Sequence, residues 1–102
     1  MIQKYVENPF LYNGRKLDFR VWVMVDHQLN YYFFREGYLR LTCEPFDLNS
    51  TQLKNRFVHL TNNAIQKHHE KYGKFELGNQ LSFSDLQVTF ETTLYLIRQN
   101  YF

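Results

Sequence analysis

The chain has 102 residues, 44% of them hydrophobic and 19% aromatic, with a formal net charge of +2, four histidines and one cysteine. This bounds it to one domain at most, with enough apolar content to exclude disorder. It excludes a membrane span, since no apolar run approaches the ~18 residues needed; an internal disulfide, since Cys43 is alone; and a phosphate-backbone stripe for nucleic acid, since no basic block occurs.

Residues 2–7 read as a short strand ended by Asn8-Pro9, because a residue before proline is pushed to an extended conformation. No charged n-region followed by an apolar h-region opens the chain, so nothing directs it to secretion. Asn13-Gly14 is a turn signal, and 9–14 is expected to be a loop leading into the central strand, 16–25. There Leu17, Phe19, Val21, Val23 and Val25 alternate onto one face, expected to be core. The other face begins Lys16, Asp18, Arg20 and then turns apolar at Trp22 and Met24. It reads either as the wall of a polar cleft or as an ordinary solvent-facing ladder of charges.

A polar turn, 26–30, leads to an aromatic second arm, 30–35. Glu36-Gly37 turns the chain into a third strand, 38–42, with Leu39 and Leu41 on one side and Tyr38, Arg40 and Thr42 on the other, completing an antiparallel meander. Residues 43–55 are expected to form a mobile loop, 57–60 a short extended piece, and 64–71 a helix capped by the Thr61-Asn62-Asn63 run. Gly73 and Gly78 bracket another loop. Ser82 and Asp85 form a capping box for an amphipathic helix, 83–100, whose stripe is Leu86, Phe90, Leu94 and Ile97. Strands first and helices later indicate an α+β fold. The chain starts on a strand and stops at Tyr101-Phe102 in an apolar helix, so it is expected to be a piece of a larger domain whose missing parts cover the surplus aromatic surface.

Two arginines on neighbouring strands, Arg20 and Arg40, can converge on one face as a double fork for phosphate or carboxylate oxygens, or they can be separate surface residues. Asp18 can orient such an arginine or accept from a ribose hydroxyl, and Lys16 can neutralise phosphate charge. His59, Thr61 and Asn62 gather an imidazole, a hydroxyl and an amide at an expected strand-to-helix junction, where an anion or a plain cap would explain them. His27, His68 and His69 have no companions at metal-ligand spacing, Cys43 has no nearby acid or base, and no glycine-rich phosphate loop is present, so no metal site is expected here.

The succession QKYVENP, GRKLDFRVWVMV, FFREGYLRLTCEPF and HLTNNAIQK, followed by YGKFELGN, resembles the tubulin tyrosine ligase family from about Ile2 to Asn79. Within it, REGYLR and EPF look closer to the tyrosine ligase branch, or next to the glycylases, than to the polyglutamylases. The resemblance implies an ATP-grasp-like partial domain, an antiparallel β-meander followed by helices, lacking the N-lobe and the C-terminal metal-binding segment. It implies ATP as cofactor, with Mg2+ held by residues outside this chain. Gln3, Lys4, Tyr5 and Val6 would hold adenine, largely through backbone groups; Lys16 and Asp18 would lie near ribose and phosphates; His59, Thr61 and Asn62 would contact the nucleotide. Arg20 and Arg40 would act at the reacting end, on the charge of the transferring group. The implied activity adds tyrosine, or glycine or glutamate, to a tubulin C-terminal tail through an acylphosphate. Its partners are that tail and a free amino acid, with no nucleic acid and no membrane, in the cytoplasm at the microtubule cytoskeleton or cilium. By itself this piece is expected to be inactive. The alternative is a non-catalytic remnant that holds the acidic tail.

Overall fold

The computed structural model describes residues 1–101; Phe102, which the sequence reading set at the tail of the last helix, lies outside them. The fold is α+β, with β1 (Leu11–Tyr12), β2 (Arg15–Arg20), β3 (Val23–Val25), β4 (Tyr31–Phe33) and β5 (Tyr38–Pro45), then α1 (Arg56–His59), α2 (Asn63–Gln66), one 3₁₀ turn (Leu77–Asn79), β6 (Gln80–Ser82) and α3 (Phe83–Tyr101). One sheet has the order β1-β2-β5-β6 and a second consists of β3 and β4. The expected single meander is therefore two sheets, with β5 beside β2. The chain divides into two units, one of Met1–Asp18 with Arg40–Gln80, the other of Phe19–Leu39 with the segment starting at Leu81. Among the described residues no helix is long and apolar enough to cross a membrane.

In the first unit, Asn13 and Gly14 have φ of 49° and 74°. Positive φ at both central positions is what a two-residue hairpin of right-handed twist requires, which asparagine and glycine accept at least cost. The expected loop is thus a tight hairpin pairing Leu11 with Lys16 and Tyr12 with Arg15. Residues 1–10 form no strand, because their main chain has no ladder partner among the described residues. Instead of a mobile loop after residue 42, β5 continues to Pro45, and the Asp47 carboxylate accepts from the Asn49 amide at 2.9 Å to shape the turns that follow.

Residues 57–60, expected to be extended, lie in or against a helical turn. Asn55 caps it, its Oδ1 accepting from the Phe57 amide at 3.0 Å, and this local bond overrides the strand preference of Phe57 and Val58. The helix expected over 64–71 stops at Gln66. Beyond it the chain tightens into successive turns, where His69 is held by Glu44 at 2.7 Å and accepts from the Lys71 amide at 3.0 Å.

Leu17, Leu41, Cys43 and Val58 form the apolar core of this unit. Two fully buried amides splice the helical segment onto β5. Gln66 accepts from the Cys43 amide at 2.8 Å and donates to the Leu60 carbonyl at 2.6 Å. Asn79 donates to the Leu41 carbonyl and to Cys43 Sγ, both at 3.1 Å, and accepts from the Gly73 amide at 2.8 Å. With their polar atoms satisfied, these amides can be buried without a large penalty. Burial pushes the Cys43 thiol up from its ordinary value, against the smaller opposing effect of the Asn79 bond. Alkylation of Cys43 by iodoacetamide is therefore expected to be slowed about a hundredfold or more in the folded chain and to become fast in denaturant, as mass spectrometry would show. Fast modification of the native chain would contradict this burial.

In the second unit β3 and β4 pair antiparallel, with Val23 opposite Phe33 and Val25 opposite Tyr31. Asp26 organises the connecting turn, accepting from the backbone amides of Gln28 and Asn30 and from the Asn30 side chain at 2.8 to 2.9 Å, and from the Tyr32 hydroxyl at 3.1 Å. These bonds, the Asn30 side chain foremost, hold its carboxyl below the usual value. Their stabilising effect is complete above the unfolded carboxylate range and is lost as pH falls through the lowered folded value.

The expected continuous strand, 16–25, breaks at Val21-Trp22. At Gly37 the backbone passes so close that an added Cβ would stand 2.5 Å from both the Arg20 carbonyl oxygen and the Phe83 ring, so only glycine fits this crossing. The expected apolar face is core only at Leu17. Phe19 is 51% exposed at the end of β2 and Val21 is about half exposed where the strand breaks, while Val23 and Val25 are about half exposed in a sheet of only two strands. Phe19 meets Phe83 edge-on at 6.0 Å. The capping box of α3 forms as expected, with Ser82 Oγ accepting from the Asp85 amide at 3.0 Å and donating to its carboxylate at 2.6 Å. Of the helix stripe, Leu86 is buried, whereas Phe90, Leu94 and Ile97 are exposed.

Candidate functional site

Alternation along β2 sends Lys16 and Asp18 to the face opposite Leu17. The Lys16 ammonium donates to the Tyr5 hydroxyl oxygen at 3.1 Å and to the His59 carbonyl at 3.0 Å, and it lies 4.6 Å from the centre of the Tyr5 ring. Tyr5 comes from the irregular arm and His59 from the end of α1. Their rings meet edge to face at 5.6 Å, and Phe46 also meets the imidazole edge to face at 6.0 Å. His59 Nε2 is 2.9 Å from the Gln52 carbonyl, which can only accept, so Nε2 carries the proton and Nδ1 accepts from the Tyr5 hydroxyl at 2.8 Å. Tyr5 and His59 also line an open groove of about 500 Å³, together with the apolar Leu48, Leu53 and Leu60 and the charged Glu7, Lys54 and Arg56. Apolar walls with a few convergent polar groups suit a flat organic ligand.

Asp18 holds Arg40 in a two-point fork, accepting from Nε at 2.9 Å and from Nη2. Two parallel charge-assisted bonds of this kind fix the plane of the Arg40 guanidinium. Arg20 lies in the second unit, its guanidinium 6.0 Å from the centre of the Trp22 ring. Gln3, Lys4 and Val6 are exposed along the arm. Thr61 is buried and Asn62 exposed, and the junction they occupy joins two helices instead of a strand and a helix. Asn62 takes the N-cap position of α2 without a side-chain cap bond. Neither helix exceeds four residues, so a macrodipole adds little for an anion here.

Sequence reasoning passed over Arg15 and Glu76. Arg15 is buried on the Leu17 side of β2, donates to the Thr42 carbonyl and to Glu76 Oε2 at 3.1 Å each, pairs also with Glu76 Oε1, and lies 4.6 Å from the centre of the Phe75 ring. Parity held the signal: an arginine in step with Leu17 has to be paired if it is to be buried. Among the described residues no group of three or more His, Cys, Asp and Glu side chains could hold a metal ion.

A protein-family model, the Tubulin-tyrosine ligase family, matches residues 1–98. Tubulin glycylase 3D of Tetrahymena thermophila is 38% identical over 98 residues, covering 91% of this chain and 9% of the relative. The human Tubulin monoglycylase TTLL3 is 42% identical over 72 residues, 69% of this chain and 9% of the relative. The Probable alpha-tubulin polyglutamylase Ttll1 of Tetrahymena thermophila is 33% identical over 93 residues, 89% of this chain and 22% of the relative. The chain thus spans about a tenth to a fifth of the length of these curated relatives. Since the family model matches residues 1–98, a stretch that includes Tyr5, Lys16, His59, Asp18 and Arg40, the chain belongs to the tubulin-tyrosine ligase family.

Proposed function

We propose that this chain is the middle part of an ATP-grasp ligase domain that joins an amino acid to a glutamate-rich tubulin tail, at the microtubule cytoskeleton or cilium. The observation that carries the reading is the meeting of Tyr5, Lys16 and His59, from three separate motifs, in one hydrogen-bonded corner beside the groove. In this reading the groove takes adenine against the arm Gln3, Lys4, Tyr5 and Val6. Lys16 and Asp18 face ribose and phosphates, and His59, Thr61 and Asn62 contact the nucleotide.

The chemistry begins with the acceptor carboxylate attacking the γ-phosphorus of ATP. ADP leaves with the bridging electron pair, and an acylphosphate forms. The amine of the incoming amino acid then adds to the acyl carbon, phosphate departs, and the amine proton passes to solvent or base. Charge builds on the transferring phosphoryl oxygens, and Arg20 and Arg40 are assigned to it, Arg40 in the orientation set by Asp18. Magnesium bound at the phosphates would neutralise their charge; among the described residues no group of three or more His, Cys, Asp and Glu side chains could hold it. Tyrosine, glycine and glutamate all remain in this reading as the amino acid added, the last two because relatives carry the names tubulin glycylase, tubulin monoglycylase and alpha-tubulin polyglutamylase.

Photolabelling with an azido-adenine analogue of ATP tests the reading. Cross-links are expected on Tyr5, Leu53, His59 or Leu60, and excess ATP should remove them. Displaceable labelling confined to α3 would overturn the assignment.

A further inference from the structure

The Lys16 ammonium has three N–H bonds, and two are committed, to the Tyr5 oxygen and to the His59 carbonyl. The Tyr5 oxygen is oriented to accept because its own O–H donates to His59 Nδ1. That nitrogen accepts because the Gln52 carbonyl keeps the ring proton on Nε2. Donation therefore runs in one sense, from Lys16 to Tyr5 to His59 to Gln52, anchored at its end on main chain.

We propose that Tyr5 is a positioning residue, whose hydroxyl, oriented by His59, fixes the Lys16 ammonium with one N–H left, among the described residues, for an anionic oxygen of a nucleoside polyphosphate. This rests on the reading of Lys16 as a phosphate contact, and it gives a side-chain role to a segment expected to work through its backbone. A free lysine loses rotamer entropy when a ligand fixes it, and here the fold has already fixed it.

Tyr5→Phe keeps the ring beside the ammonium and against His59, and removes only the oxygen. The test follows the Lys16 Cε and Nζ signals and the His59 ring nitrogens by NMR in the full 102-residue chain, with ATP and inorganic tripolyphosphate as separate probes. In the unsubstituted chain His59 is expected as the Nε2–H tautomer with a hydrogen-bonded Nδ1, and both probes should move the Lys16 signals. In Tyr5→Phe, the Nδ1 signal should shift to that of an unbonded acceptor, and both probes should bind at Lys16 about three- to tenfold more weakly. His59→Gln, which can still reach the Gln52 carbonyl but offers nothing where Nδ1 stood, should show the same loss. It decides the matter if Tyr5→Phe lacks the buried Asn79 amide signals that report the fold. Equal affinity at Lys16 in both variants, or a His59 proton found on Nδ1, overturns the positioning role and leaves the nucleotide reading standing. Probes that move no Lys16 signal in the unsubstituted chain overturn both.

Discussion

Replacing Arg15 by methionine, or Glu76 by leucine, is expected to cost about 3–5 kcal/mol of stability each, enough to unfold most of the first unit. Either single change leaves one charge in a place where the two side chains are 6% and 11% exposed. A lone buried carboxylate or guanidinium loses its hydration without gaining a partner. The Thr42 carbonyl would also lose a donor if Arg15 were replaced, and the Phe75 ring its cation. The double replacement removes both charges and fills the space with apolar groups, so most of the loss should return. Urea unfolding followed by circular dichroism measures all three variants. If the single changes cost under about 1 kcal/mol, the pair is no more than a surface contact.

The 102-residue chain is expected to bind a glutamate-rich tubulin-tail peptide weakly and to carry out no ATP-dependent ligation. Attraction between an acidic peptide and arginines acts at long range and needs no enclosed pocket, but it is screened by salt. Raising the salt from about 0.05 to 0.5 M should therefore weaken binding roughly tenfold. Joint Arg20→Ala and Arg40→Ala substitution should abolish it. Asp18→Asn should act in the opposite direction, because Asp18 now competes with the peptide for Arg40. Calorimetric titration with peptide and with magnesium-ATP measures each case. Tight magnesium-ATP binding, or peptide binding indifferent to the arginine substitutions, would show the site misplaced. Salt-sensitive peptide binding without any nucleotide binding would favour the tail-holding remnant over the ligase.

Much of the local structure was legible because its causes lie within a few residues. Asn13-Gly14 marks a turn wherever it stands, and Ser82 and Asp85 close a capping box over a distance of three residues. Alternation placed Lys16 and Asp18 on one face, and Leu39 and Leu41 in the core. The motif order from about Ile2 to Asn79 also points to the family, since matched residues at matched spacing need no geometry. The same local reasoning failed where two local preferences competed: Phe57 and Val58 favour a strand, and the Asn55 cap made it a helical turn.

Tertiary structure alone decided which distant groups meet. Tyr5 and His59 are 54 residues apart, Arg15 and Glu76 are 61 apart, and no periodicity relates them. It also decided burial. The apolar pattern of Phe19, Val21, Val23 and Val25 states which side chains gain by leaving water, but burial further needs a second layer to leave into, and that layer is a property of the packed chain. For this protein the sequence by itself determined the turns, caps, strand parity and family, because those rest on neighbours and on residue identity. The fold determined the Lys16–Tyr5–His59 corner, the Asp18–Arg40 fork and the Arg15–Glu76 pair, because a hydrogen bond or ion pair depends on distance in space, which sequence separation does not set.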